Sequence, residues 1–202
     1  IALEQIAQLL EKRTQEVLEA NLLDVNMGQT NSLSQALIDR LTITPDALMN
    51  MISDIRKIAS LPDPIGECFD KQVLDNGLRI ARQRVPIGVL GVIYESRPNV
   101  TIDVTSLAIK TGNAVILRGG SETINSNKVL VSIICEALSQ TNIPESCVQF
   151  INSTDRKYVA ELLKLHQYID MIIPRGANKL HEFCLENSTI PVITGGIGIF
   201  FS

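Results

Sequence analysis

Four short segments gather residue types that bind and redistribute charge: ESRPN at 95–99, RGGSE at 118–122, PRGAN at 174–178 and TGG at 194–196. Each follows an apolar run; three carry glycine, and three carry arginine or asparagine. Glycine lets a phosphate or cofactor approach the main chain, and a helix starting there offers its free N–H groups to an anion. In ESRPN, Pro98 restrains the backbone before it, and the Asn99 amide is suited to donate to a developing oxyanion. From the residues alone, capping the helix that follows is the simpler role for Asn99. Arg118 stands just after a strand, where it would meet a ribose hydroxyl or phosphate; a surface arginine capping a loop is the plainer alternative. Ser121 and Glu122 would shape the same pocket. Glu95 and Arg97 read as a local ion pair rather than as substrate ligands.

Nucleophiles and metal ligands are less well marked. Cys68, Cys135, Cys147 and Cys184 are scattered without a CxxC pair, and only His166 and His181 are available to join them. No metal site is assigned. His166 reads as a helix-end residue, and His181 lies on a helix face one turn before Cys184. Such a pair is more often packing than a thiolate and its base, so no cysteine is assigned to catalysis. Gly195, Gly196 and Gly198 have no helix after them, and the GxGxxG dinucleotide fingerprint is therefore not met.

The corners need a scaffold, and the hydrophobic pattern supplies one. IGVLGVI, AVIL, CVQFI, IDMIIP and IPVI are short apolar strands separated by helical stretches, with Gly112 ending one helix and Ser121 as the N-cap of the next. That alternation predicts a parallel sheet with helices on both faces and right-handed crossovers, whose ligand site lies beyond the carboxyl ends of the strands. Before it come an amphipathic helix over 1–20, a second from about Ser32 to Leu41 and a third opened by Thr44 and Pro45. The segment 67–86, with Asn76 and Gly77 at its centre, predicts a β-hairpin. A chain of 202 residues suits one domain with an appended helical segment over 1–60. A net charge of -4 gives no reason to propose nucleic acid or an anionic membrane as partner. The start shows no secretory signature, which favours a soluble, cytoplasmic protein with reduced thiols.

RVPIGVLGVIYESRPNVTIDV, KTGNAVILRGGSE, YIDMIIPRGANKLHEFC and STIPVITGGIG, in that order and preceded by ALIDRL and LPDPIG, resemble the gamma-glutamyl phosphate reductase family of the aldehyde dehydrogenase superfamily. The likeness covers nearly the whole chain. It implies an α/β fold with a Rossmann-like parallel sheet of the aldehyde dehydrogenase type, in three α/β/α layers, forming an NADP-binding domain over 1–202. The implied reaction is NADPH-dependent reduction of L-glutamate 5-phosphate to L-glutamate 5-semialdehyde and phosphate, in proline biosynthesis. In that family a cysteine attacks the acyl phosphate, phosphate leaves, and hydride transfer to the thioester yields the aldehyde.

Position by position, the resemblance implies that Asn99 is an oxyanion donor. It also implies that Arg118 contacts the adenosine ribose or its 2'-phosphate, with Glu122 nearby, and that Arg175 and Gly176 approach the cofactor pyrophosphate. Thr194, Gly195 and Gly196 match the segment where oxidising relatives have glutamate, leucine and paired glycines. Threonine there fits a reductase, which need not activate water. The family's nucleophilic cysteine belongs to a later motif in a second domain, so residues 1–202 are expected to be the cofactor-binding half and inactive alone. The ending IFFS departs from the family pattern. A homo-oligomer is implied, with the hairpin projecting toward a second subunit. The alternatives are another oxidoreductase of the superfamily, a non-catalytic nucleotide-binding remnant, or part of a bifunctional synthase with an upstream glutamate kinase.

Overall fold

Residues 1–60 form four helices in the computed structural model, which describes residues 1–194: α1 (Ala2–Lys12), α2 (Thr14–Thr30), α3 (Gln35–Leu41) and α4 (Pro45–Ser60). The apolar stripe of α1, with Ile6, Leu9 and Leu10, is buried, as its spacing predicts. The single helix expected over 1–20 is corrected in two ways. It breaks at Arg13, whose side chain is held by Glu16 and Glu136, and it then continues to Thr30. The continuation escapes the apolar pattern because the face it buries is largely polar: Asn21, Asp24 and Gly28. Thr44 caps α4 as expected, its hydroxyl accepting the Ala47 N–H at 3.1 Å, with Pro45 at the first helical position.

The hairpin forms from β1 (Cys68–Val73) and β2 (Arg79–Gln83), paired antiparallel. Gly77 sits in its turn at φ +83, a left-handed conformation that favours glycine, and the Asn76 side-chain Oδ1 accepts the Leu78 N–H at 3.0 Å. Almost every residue of the two strands is exposed.

Beyond it, β3 (Val89–Tyr94), β4 (Ala114–Arg118), β5 (Val148–Phe150) and β6 (Met171–Arg175) build a four-stranded parallel sheet in the order β5-β4-β3-β6. Side-chain alternation divides its core into two layers. Leu90, Val92, Val115 and Leu117 pack with α1, α4, α5 (Asn99–Lys110) and α6 (Ile124–Ser139). Ile93, Ile116 and Ile172 face the other way, against α7 (Lys157–Leu162) and α8 (Asn178–Asn187). The three layers predicted from the sequence are therefore present. The fifth strand expected at IPVI is reduced to a single parallel bridge between Ile172 and Val192, so the sheet has four full strands among the described residues.

Ser121 is not the N-cap of α6. It opens a 3-10 turn over Ser121–Thr123, and α6 starts only at Ile124 with no cap from its own N-cap side chain. The cap arrives from α2. The buried Asp24 carboxylate accepts the N–H groups of Asn125 (3.1 Å) and Ser126 (2.7 Å), the Asn125 side-chain amide (2.8 Å) and the Ser126 hydroxyl (2.6 Å). A carboxylate there also lies at the positive end of the helix dipole. Asn21, one turn earlier on α2, donates to Leu41 O (2.8 Å) and accepts the Ile43 N–H (2.7 Å). The end of α3 is thereby fastened beside the sheet.

Candidate functional site

In the order β5-β4-β3-β6 the chain proceeds to one side of β3 and then crosses to the other, so the sheet's switch point lies between the carboxyl ends of β3 and β6. Open α/β sheets bind ligands at such a point. Here it joins the ESRPN and PRGAN corners, with the Glu95 N–H donating to Arg175 O at 3.2 Å. Above it opens a cavity of about 740 Å³ whose wall includes Arg40, Arg97, Arg175, Gly176, His181 and Thr194. Glu95 and Glu182 share the wall.

Three carboxylates organise these corners. Glu95 does not pair with Arg97; it accepts the Ala177 N–H at 3.0 Å, which corrects the local ion pair expected from the sequence. A Cβ at Gly176 would collide with that carboxylate, so glycine makes room for Glu95 as well as for any ligand. Glu122 reaches from the RGGSE corner to ESRPN, where one oxygen accepts both the N–H and the hydroxyl of Ser96, each at 2.7 Å. Those bonds hold Ser96 at φ +48, a left-handed conformation that a non-glycine residue adopts at a cost of about 1 kcal/mol or more. The turn so made delivers Pro98 to the N-cap position of α5 and Asn99 to its first turn. The third is Asp103, one turn further on, whose carboxylate accepts the Asn99 Nδ2–H at 3.0 Å. Burial pushes the Asp103 carboxyl pKa above its ordinary value, against the bond from Asn99.

Asn99 therefore does not act as the backbone cap that the simpler reading assigns it. It faces a smaller neighbouring cavity, about 260 Å³, lined also by Asp54 and Asp103. Arg40 lines both cavities. Behind the corner, the buried Tyr94 hydroxyl meets Thr101 Oγ1 at 2.6 Å, and Thr101 donates to Asn127 Oδ1 at 2.7 Å. Burial raises the Tyr94 phenol pKa, and the network ties the end of β3 to α5 and α6.

Arg118 is neither a surface residue nor wholly satisfied. It is 7% exposed; its Nη1 donates to Gly119 O (2.6 Å) and Nη2 to Thr154 O (3.3 Å), while the buried Nε has no partner. The loop-capping alternative holds in its bonds and fails in its exposure. A buried guanidinium with an unpartnered N–H at the end of β4 is a fitting host for a ribose hydroxyl or phosphate.

The structure thus brings Arg175, Gly176 and Thr194 to one cavity, places Asn99 in the cavity beside it, and puts Arg118 and Glu122 at the adjoining corner. Gly195 and Gly196 lie outside the described residues. Sequence reasoning missed Arg40, which comes from a helix outside the sheet, and Ser96 and Asp103, whose roles depend on partners far along the chain or one turn ahead. The ALIDRL motif was the one available signal for Arg40. Three of the four cysteines are in settings that disfavour a thiolate: Cys184 is fully buried and its thiol is pushed up to about 11 by burial, and burial also raises Cys135 and Cys147, while Cys68 is exposed at the start of the hairpin. His166 is not the helix-end residue expected: α7 stops at Leu162, and His166 sits beyond it in a turn, its Nδ1 3.2 Å from Thr189 Oγ1. No cluster of three metal-ligating side chains occurs among the described residues.

The aldehyde dehydrogenase family matches residues 2–189, and the chain belongs to that family. Within it, the chain is 54% identical over 198 residues to gamma-glutamyl phosphate reductase of Histophilus somni, covering 98% of this chain and 47% of that protein. The crystal structure of gamma-glutamyl phosphate reductase from Thermotoga maritima superposes with a TM-score of 0.93 at 48% identity, over 98% of this chain and 48% of that one. The Saccharomyces cerevisiae enzyme of the same name gives 0.89 at 34% identity, over 98% and 50%. The chain spans about half the length of these relatives, matching the N-terminal half. Members of the family bind nicotinamide cofactors.

Proposed function

We propose that this chain is the cofactor-binding half of a gamma-glutamyl phosphate reductase, which reduces L-glutamate 5-phosphate to L-glutamate 5-semialdehyde and phosphate with NADPH in proline biosynthesis. The observation that carries this is the switch-point cavity, lined by three arginines and by Thr194 where an oxidising relative would have a glutamate. Arginines suit a substrate with a phosphate and a carboxylate, and threonine removes the base that would activate water against a thioester.

NADPH, when bound, supplies the hydride. Arg118 would hold its adenosine ribose or 2'-phosphate, with Glu122 setting the neighbouring corner, and Arg175 and Gly176 would meet its pyrophosphate; Gly195 and Gly196 are assigned to cofactor binding by the family resemblance alone. Asn99 engages one amide hydrogen with Asp103, and its other hydrogen would donate to the oxygen of the reacting carbonyl. The nucleophilic cysteine is assigned to sequence outside these 202 residues, and the chain alone is taken to be inactive. The exposed hairpin, with Val73 and Ile80 uncovered, is assigned to contact with a second copy in a homo-oligomer. No helix among the described residues is long and apolar enough to cross a membrane; a cytoplasmic location is proposed with the biosynthetic role.

The test of the reading is whether NADPH oxidation by the full-length protein depends on L-glutamate 5-phosphate; oxidation that ignores this substrate overturns it. Cofactor choice gives a separate prediction. NADPH should bind more tightly than NADH in a fluorescence titration, and Arg118→Met should weaken NADPH by about 10- to 100-fold while changing NADH little. Arg118→Lys should recover part of the loss. Tighter binding of NADH by the unaltered protein would contradict the assignment of Arg118.

A further inference from the structure

We infer that Arg40 is the specificity residue that recognises an oxyanion group of the substrate, the phosphate or the carboxylate. This rests on the functional reading above. The residue comes from the last turn of α3, outside the sheet whose corners form the rest of the site. Its placement is built: Asn21 clamps the chain on either side of Thr42, holding Leu41 O and the Ile43 N–H, immediately after Arg40.

Arg40 is the residue common to the two cavities that matter. One holds Arg97, Arg175 and Thr194; the other holds Asn99. A substrate whose reacting carbonyl lies at Asn99 therefore has Arg40 lining the same cavity, while Arg97 and Arg175 add guanidinium groups to the larger cavity alongside Glu95 and Glu182. None of the three guanidiniums, all on exposed residues, forms a salt bridge among the described residues, as is also true of Arg79, Arg118 and Arg156, whereas Arg13, Arg56, Arg82 and Arg84 do. Asp54 and Asp103 share the smaller cavity with Arg40, yet neither pairs with it. Three guanidiniums without ionic partners, set among the carboxylates of Glu95, Glu182, Asp54 and Asp103 in the two walls, leave charged donors that an anion can engage.

A purely structural role has a different signature. A basic residue in a helix's last turn interacts with the helix dipole, and its loss shifts thermal stability slightly without moving a Michaelis constant. In the full-length enzyme, Arg40→Gln should raise KM for L-glutamate 5-phosphate by about 10- to 100-fold, with kcat and the KM for NADPH changed by less than about threefold. Arg40→Lys should give an intermediate KM. Loss of competitive inhibition by inorganic phosphate in Arg40→Gln identifies the phosphate as the group recognised; loss of inhibition by L-glutamate identifies the carboxylate. An unchanged substrate KM, or a fall in kcat alone, overturns the inference. If the unaltered enzyme does not turn over L-glutamate 5-phosphate, the functional reading fails, and Arg40 is judged by calorimetric titration with inorganic phosphate. Binding to the unaltered protein and not to Arg40→Gln keeps the anion site, and any other result removes it.

Discussion

Replacing Asn99 by alanine in the full-length protein is expected to lower kcat for glutamyl phosphate reduction by about 10²- to 10³-fold, the effect of removing one oxyanion donor from a preorganised site. The proposed donor is preorganised because each step of its corner is fixed by hydrogen bonds or by Pro98. Glu122 holds Ser96 left-handed, Pro98 begins α5, and Asp103 fixes the orientation of the Asn99 amide. Stability should change little, since the Asn99 side chain caps no backbone N–H and Pro98 remains in place. NADPH affinity should also be preserved. Steady-state kinetics with both substrates varied check this, and a kcat within about threefold of the unaltered enzyme would remove Asn99 from the chemistry.

The second large effect is on folding. Asp24→Ala is expected to destabilise the protein by roughly 3 kcal/mol in urea unfolding, because it removes a charged acceptor and leaves buried donors of Asn125 and Ser126 without partners. Asp24→Asn keeps one acceptor oxygen and should lose about half as much. The loss matters for the site as well as the fold. α2 carries both Asp24, which caps α6, and Asn21, which fastens the end of α3 beside Arg40. A loss below about 1 kcal/mol for alanine would show that the cap is replaceable by water or by the turn itself.

These residues also mark where the sequence could and could not be read. Val92 and Leu117 on one side of the sheet and Ile93 and Ile116 on the other made β3 and β4 legible as strands buried on both faces. Thr44 with Pro45, and Asn76 with Gly77, announced a helix start and a turn through purely local chemistry. Asp24 was illegible because a buried carboxylate looks like a surface one until its partners, about a hundred residues away, are known. Ser121 misled for the complementary reason: its type suits a cap, but the cap was already supplied by α2. Ser96 gave no warning of a left-handed backbone, since the bonds from Glu122 that sustain it are non-local. At the site, the sheet corners were visible as motifs because they follow strands, whereas Arg40 follows none.

The central proposal is a reductase whose cavity accepts an acyl phosphate and does not activate water. The most direct measurement is the balance of the reaction catalysed by the full-length protein, with NADPH oxidation followed by absorbance and phosphate release followed in the same sample. One phosphate released for each NADPH oxidised, only when L-glutamate 5-phosphate is present, is the predicted result. NADP+-dependent oxidation of an aldehyde to its acid without any requirement for phosphate would contradict it, and would make the protein an ordinary aldehyde dehydrogenase despite Thr194.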